Sequence, residues 1–133
     1  MEKEFVSYKT ALALKELGFD EKCFYHYEYH SERLCEDKAF LIAGNGNKYY
    51  KDTNMEKSVN APTFHQAFRF FREKHKQDSL VVPSGDSTGK TNGYYYEIVF
   101  DFSKENIESE SFKTYEEAKS TCLEKLIEII KNK

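Results

Sequence analysis

The stretch Ala61 to Lys76, APTFHQAFRFFREKHK, is the longest burst of large apolar residues in a polar chain, and everything around it must fold to accommodate it. Pro62 followed by Thr63, Phe64, His65 and Gln66 reads as a helix start. Thr63 can accept from the Gln66 backbone N–H while the Gln66 side chain reaches back, the reciprocal arrangement of a capping box. Phe64, Ala67, Phe68, Phe71 and His75 then recur at three- and four-residue intervals. At roughly 100° per residue they form one stripe, with Gln66, Arg69, Glu73 and Lys76 opposite and Phe70 at its edge. A helix with that many phenylalanines to bury needs a sheet or other helices against it.

The chain can supply them. Its 133 residues are 39% hydrophobic and 32% charged, which predicts a single folded domain over 1–133 rather than disorder. The apolar material is aromatic-rich: 11 Phe and 10 Tyr, with no Trp. Charge is well mixed, 20 basic against 23 acidic side chains for a net −3, and no Lys or Arg block marks a duplex-DNA binder. No apolar run approaches the roughly 20 residues of a membrane span. The start, Met-Glu-Lys-Glu-Phe, lacks the apolar core of a signal peptide. Cys23, Cys35 and Cys122 are far apart with no CxxC, as expected of reduced thiols in a cytoplasmic protein.

In chain order, Ser7 to Leu17 predicts a first helix on the face Thr10, Ala13, Leu14 and Leu17, with Gly18 as a left-handed C-cap and Phe19 folding back on it. Cys23 to His30, CFYHYEYH, alternates with period two and predicts a strand. Cys23, Tyr25, Tyr27 and Tyr29 share one side; Phe24, His26, Glu28 and His30 share the other. Ser31 to Asp37 reads as loop, Ala39 to Ala43 as a strand, and Gly44 to Asn47 as a turn before Lys48-Tyr49-Tyr50. Lys51 to Asn60 reads as irregular. After the central helix, Ser79 to Val82 is a short strand stopped by Pro83, Ser84 to Gly93 a loop, and Tyr94 to Phe102 a clear strand. A second capping box at Thr114 and Glu117 opens a last helix burying Tyr115, Ala118, Cys122, Leu126, Ile129 and Ile130.

The order helix, two or three strands, helix, two strands, helix predicts an α+β fold. Strands joined by short connections pair antiparallel, so the expectation is one antiparallel sheet of four to five strands with three helices on one face.

The run Ala61-Pro62-Thr63 with Ala67 to Glu73, followed by Thr114-Tyr115-Glu116-Glu117-Ala118 and Leu123 to Ile130, resembles a family of small proteins carried by bacteria, prophages and mobile elements. Such proteins show a helix of the type AFRWLRE and a terminal helix beginning TYEEA. Phe70 stands where tryptophan is common in that pattern. The motifs cover about a quarter of the chain. The resemblance implies a compact, phage-related accessory protein and carries over no catalytic residue.

Four patterns invite sharper chemistry. Ser84-Gly85-Asp86-Ser87-Thr88-Gly89-Lys90-Thr91 has the look of a phosphate-binding loop. A P-loop needs glycine at Ser84 and a helix directly after Lys90-Thr91, whereas Asn92-Gly93 and an aromatic strand follow, so a hairpin loop is expected. His26, Glu28 and His30 project to one side of a strand as a metal site would need. However, residues four apart on a strand are roughly 13 Å apart at Cα, too far to grip one ion without bending, so polar residues on a wet face are expected instead. The cysteines and histidines form no local nucleophile signature. Tyrosines beside Arg69, Arg72 and Lys90 could stack single-stranded bases, although half of them must face the helices.

The expected function is therefore non-enzymatic: binding of another protein, or of a second copy, without cofactor, metal or catalytic residues. The expected surface is the uncovered sheet face with Phe24, His26, His30, Tyr95 and Val99. The alternative is a single-stranded nucleic-acid binder using Arg69, Arg72 and Tyr95. A weaker one is a metal-dependent enzyme at His26, Glu28 and His30.

Overall fold

The computed structural model describes residues 2–28, 32–36, 58–100 and 105–133. A 3-10 turn, Glu2–Glu4, precedes helix α1 (Tyr8–Glu16) and strands β1 (Tyr25–Glu28), β2 (Leu34–Glu36) and β3 (Ser58–Asn60). Helix α2 (Phe64–His75) is followed by β4 (Asp78–Gly85), β5 (Thr91–Val99), β6 (Ile107–Glu108) and helix α3 (Tyr115–Lys131). The chain divides into two compact units, Met1–Ala67 and Phe68–Lys133, with the boundary inside α2.

In the first unit β1 is the middle strand of an antiparallel sheet ordered β2-β1-β3, with His26 opposite Cys35 on one side and Asn60 on the other. Helix α1 is capped at both ends by its own sequence. Ser7 Oγ accepts from the Thr10 N–H at 3.2 Å. At the other end Gly18 adopts φ 96°, letting the Phe19 N–H reach the Leu14 carbonyl at 3.0 Å and the Gly18 N–H that of Lys15 at 3.0 Å. This is the Schellman pair, and the buried Phe19 closes the end of the helix as the sequence predicts. Two polar side chains of the unit are tied to backbone: the Tyr27 hydroxyl donates to the Val6 carbonyl, and Asn60 Nδ2 donates to the Glu21 carbonyl at 2.9 Å. Two strands fall where loop was expected, β2 within 31–37 and β3 within 51–60. Neither has a strong sequence signal of its own; pairing with β1 holds both extended. The strands expected at Ala39 to Ala43 and Lys48 to Tyr50 lie outside the described residues.

Helix α2 opens with the expected capping box made in both directions: Gln66 N–H to Thr63 Oγ1 at 3.2 Å, and Thr63 N–H to Gln66 Oε1 at 3.0 Å. Its buried stripe differs from the expected one. Ala67, Phe70 and Phe71 are buried, while Phe64, Phe68 and His75 are only half-buried. Both stripes fit helical spacing, but the second runs on to Lys74, so counting apolar residues favoured the one ending at His75. The helix stops where Lys76 turns to φ 56° and the Gln77 N–H reaches back to the Phe71 carbonyl at 3.1 Å.

The second unit holds a second antiparallel sheet, ordered β4-β5-β6. The described strands thus form two three-stranded sheets rather than one sheet of four to five, with α1 against the first and α3 against the second. The physical reason is locality: strands on each side of α2 pair with near neighbours in sequence. The β4–β5 connection is the expected hairpin, closed by Asp86, whose Oδ1 accepts from Thr88 N–H at 2.8 Å and Lys90 N–H at 3.1 Å. Thr88 Oγ1 donates to the same oxygen. Instead of stopping at Pro83, β4 runs through it. Tyr94, opposite Pro83, exchanges both backbone bonds with Phe112 (2.8 and 2.6 Å), so Pro83 turns its own main-chain groups outward. Its missing N–H therefore falls on the edge of the sheet, where it costs no ladder bond.

Helix α3 packs on one face of β4 and β5. Tyr115 meets Tyr94 edge-on at 5.8 Å between ring centroids, and Cys122 is hydrogen-bonded to Ser79. The helix buries Ala118, Cys122, Leu123, Leu126 and Ile127. Tyr115, expected in the core, is 44% exposed with the Lys119 ammonium 5.4 Å over its ring. Ile129 and Ile130 are half-buried. The core stripe is turned slightly about the helix axis relative to the expected one, admitting Leu123 and Ile127.

Candidate functional site

Alternation along the second sheet separates two sets of side chains. Ser79, Val81, Tyr94, Tyr96 and Ile98 stand on the α3 side, with Tyr96 and Ile98 buried. The opposite side is set by register: Asp78 beside Val99, Leu80 beside Glu97, and Val82 beside Tyr95. Across β5, Glu97 stands directly opposite Glu108 of β6. Leu80 is 47% exposed in mid-strand, Val82, Tyr95, Glu97 and Val99 are half-buried, and Asp78 and Glu108 are exposed. This apolar row, interrupted at Glu97 and bordered by Asp78 and Glu108, is the candidate site. Its one side-chain hydrogen bond among the described residues is Asn106 Nδ2 to Glu97 Oε1 at 2.8 Å.

Of the residues singled out in the sequence, Tyr95 and Val99 do share this face. Phe24 and His26 belong to the other unit and the other sheet. Phe24, just before β1, is 66% exposed, but His26, on the middle strand β1, is only 5% exposed and so offers no open surface. His30 lies outside the described residues. Leu80 and Val82 were missed as surface residues: the run Leu80-Val81-Val82 is apolar on both sides, and only the pairing with β5 separates them.

Among the described residues, three thiol and imidazole groups depart from their ordinary ionisation. The Cys122 thiol is pushed up to about 11 by burial on the sheet-facing side of α3, against a smaller opposing effect of its Ser79 hydrogen bond. Cys35 is raised by burial and by Glu28, to whose Oε1 its Sγ donates at 3.3 Å. Glu28 is also engaged by Arg33 at 3.0 Å. Burial, then the Lys133 charge, holds the His75 imidazole below its ordinary value. Its Nε2 and both amide ends of the buried Gln77 find no partner among the described residues. No group of three His, Cys, Asp or Glu side chains that could hold a metal ion occurs among the described residues. Nor is any described helix long and apolar enough to cross a membrane.

Arg69 is half-buried and Arg72 exposed, both on α2. Tyr95 stands on β5 beside Val82, two residues along the strand from Glu97. Compared with known proteins, the chain matches no family model, no curated protein and no solved structure.

Proposed function

We propose that this chain is a small non-enzymatic accessory protein of the cytoplasm that works by binding, a protein–protein interaction module of phage or mobile-element type. The observation that supports it is the face of the second sheet turned away from α3. Leu80, Val82, Tyr95 and Val99 line up on adjacent strands, with Leu80 largely open to solvent. An accessible apolar row that includes an aromatic and has polar groups among and around it is what a partner's side chains bury against.

Fluorescence anisotropy with labelled single-stranded and duplex oligonucleotides separates this reading from nucleic-acid binding. The expected result is no binding of either at physiological salt. Micromolar, steeply salt-dependent single-strand binding that Tyr95→Ala abolishes would overturn the proposal.

A further inference from the structure

Resting on that reading, we infer that the partner presents a cationic amphipathic segment, lysine or arginine interleaved with apolar side chains, to the Leu80–Tyr95 face. The charge of the sheet carries the inference. None of the three strands, Asp78–Gly85, Thr91–Val99 and Ile107–Glu108, contains a Lys, Arg or His. The face carries three carboxylates, Asp78, Glu97 and Glu108, and none of them is ion-paired among the described residues. Two of them, Glu97 and Glu108, stand directly opposite each other across β5 and β6, where like charges oppose pairing. Glu97 is half-buried and receives only a neutral amide from Asn106.

These features discriminate among occupants. A purely apolar partner would cover Leu80 and Val82 but desolvate Glu97 without a counter-charge, which is costly. A second copy bringing the same face would set its own Asp78, Glu97 and Glu108 against these. A phosphate backbone would meet three carboxylates. A segment with cations spaced between apolar residues covers the row, neutralises the border and relieves the Glu97–Glu108 repulsion at once.

The test is selection of a random linear-peptide display library on the full chain, followed by anisotropy titration of the enriched peptides. The comparison proteins are wild type, Glu97→Gln/Glu108→Gln, and Leu80→Ser. The expected peptides are net cationic and amphipathic, and both variants weaken them by about tenfold or more. Both variants change accessible or half-buried side chains, and the double glutamine variant, freed of repulsion, should melt no lower than wild type. Enriched peptides that depend on Leu80 but are neutral or acidic would overturn the inference and leave the protein-binding reading standing. Cationic peptides indifferent to both variants would overturn it as well. Failure to enrich any peptide would count against both.

Discussion

The two faces of the β4-β5-β6 sheet are built from the same strands, yet alternate residues serve opposite ends. Toward α3 the sheet is covered: Tyr96, Ile98 and the facing Cys122 are buried. Away from α3 an apolar row stays accessible and carries every charge the strands possess. One face closes the unit on itself. The other leaves Leu80 47% exposed and Val82, Tyr95 and Val99 half-buried.

The comparison breaks if the two faces respond alike to truncation. Ile98→Ala should cost about 2–5 kcal/mol of stability, the range for emptying a buried aliphatic site, whereas Leu80→Ala should cost less than about 1 kcal/mol. Urea denaturation of both variants decides it, and equal losses would mean that Leu80 is structural.

Gly93 tests how tightly the sheet's third chain segment is held. A Cβ at this position would lie 2.6 Å from both the Phe112 carbonyl oxygen and Ser111 Oγ. Gly93→Ala must therefore push Phe112 away from its bridge with Tyr94, at about 1–3 kcal/mol. Hydrogen exchange should then speed up at the Tyr94 and Phe112 amides; unchanged protection there would show that the bridge has slack.

The covered face should also have an alkaline signature. Cys122 titrates at about 11 when folded against an ordinary 9.0, and burial raises Tyr96 as well. A raised folded value means that the stabilisation is complete below the unfolded value and is lost as pH climbs through the folded one. Stability should fall between about pH 9 and 11, and Cys122→Ala should flatten that slope. At neutral pH Cys122 should resist thiol reagents until the chain unfolds, while a thiol introduced on the other face by Leu80→Cys should react freely.

The smallest expected effect is at the hairpin between the two strands. Bonds from Thr88, through its side chain and backbone, and from Lys90 N–H lower the Asp86 carboxyl from its ordinary value. That contribution is present above the unfolded value and disappears as pH falls through the folded one. Acidification below about pH 4 should loosen Thr88 and Lys90 amide protection before the sheet itself melts.

What the sequence disclosed follows from how local each signal is. The Thr63–Gln66 box, the Gly18 cap and the alternation of Tyr94 to Val99 are complete within a few residues, and all appear as expected. The choice between Phe68 and Phe70 for the core could not be made locally, because two stripes of equal spacing compete and only the surroundings select one. Strands β2, β3 and β6 are too short to announce themselves, and the division into two sheets is a matter of which strands find each other. Within the candidate site, Tyr95 and Val99 were legible from period two. Leu80 and Val82 were not, and the acidic border emerged only with the register.

Pro83 has one more consequence. Outward-facing main-chain groups on β4 fall at Ser79, Val81 and Pro83, and the last offers a carbonyl without a donor. A further strand seeking to dock there would meet an incomplete template, and a ring where its own carbonyl needs an N–H. Growth of the sheet by edge addition is interrupted at its third step. The outer strand beside this half-exposed apolar row is therefore a poor template for edge-to-edge polymerisation.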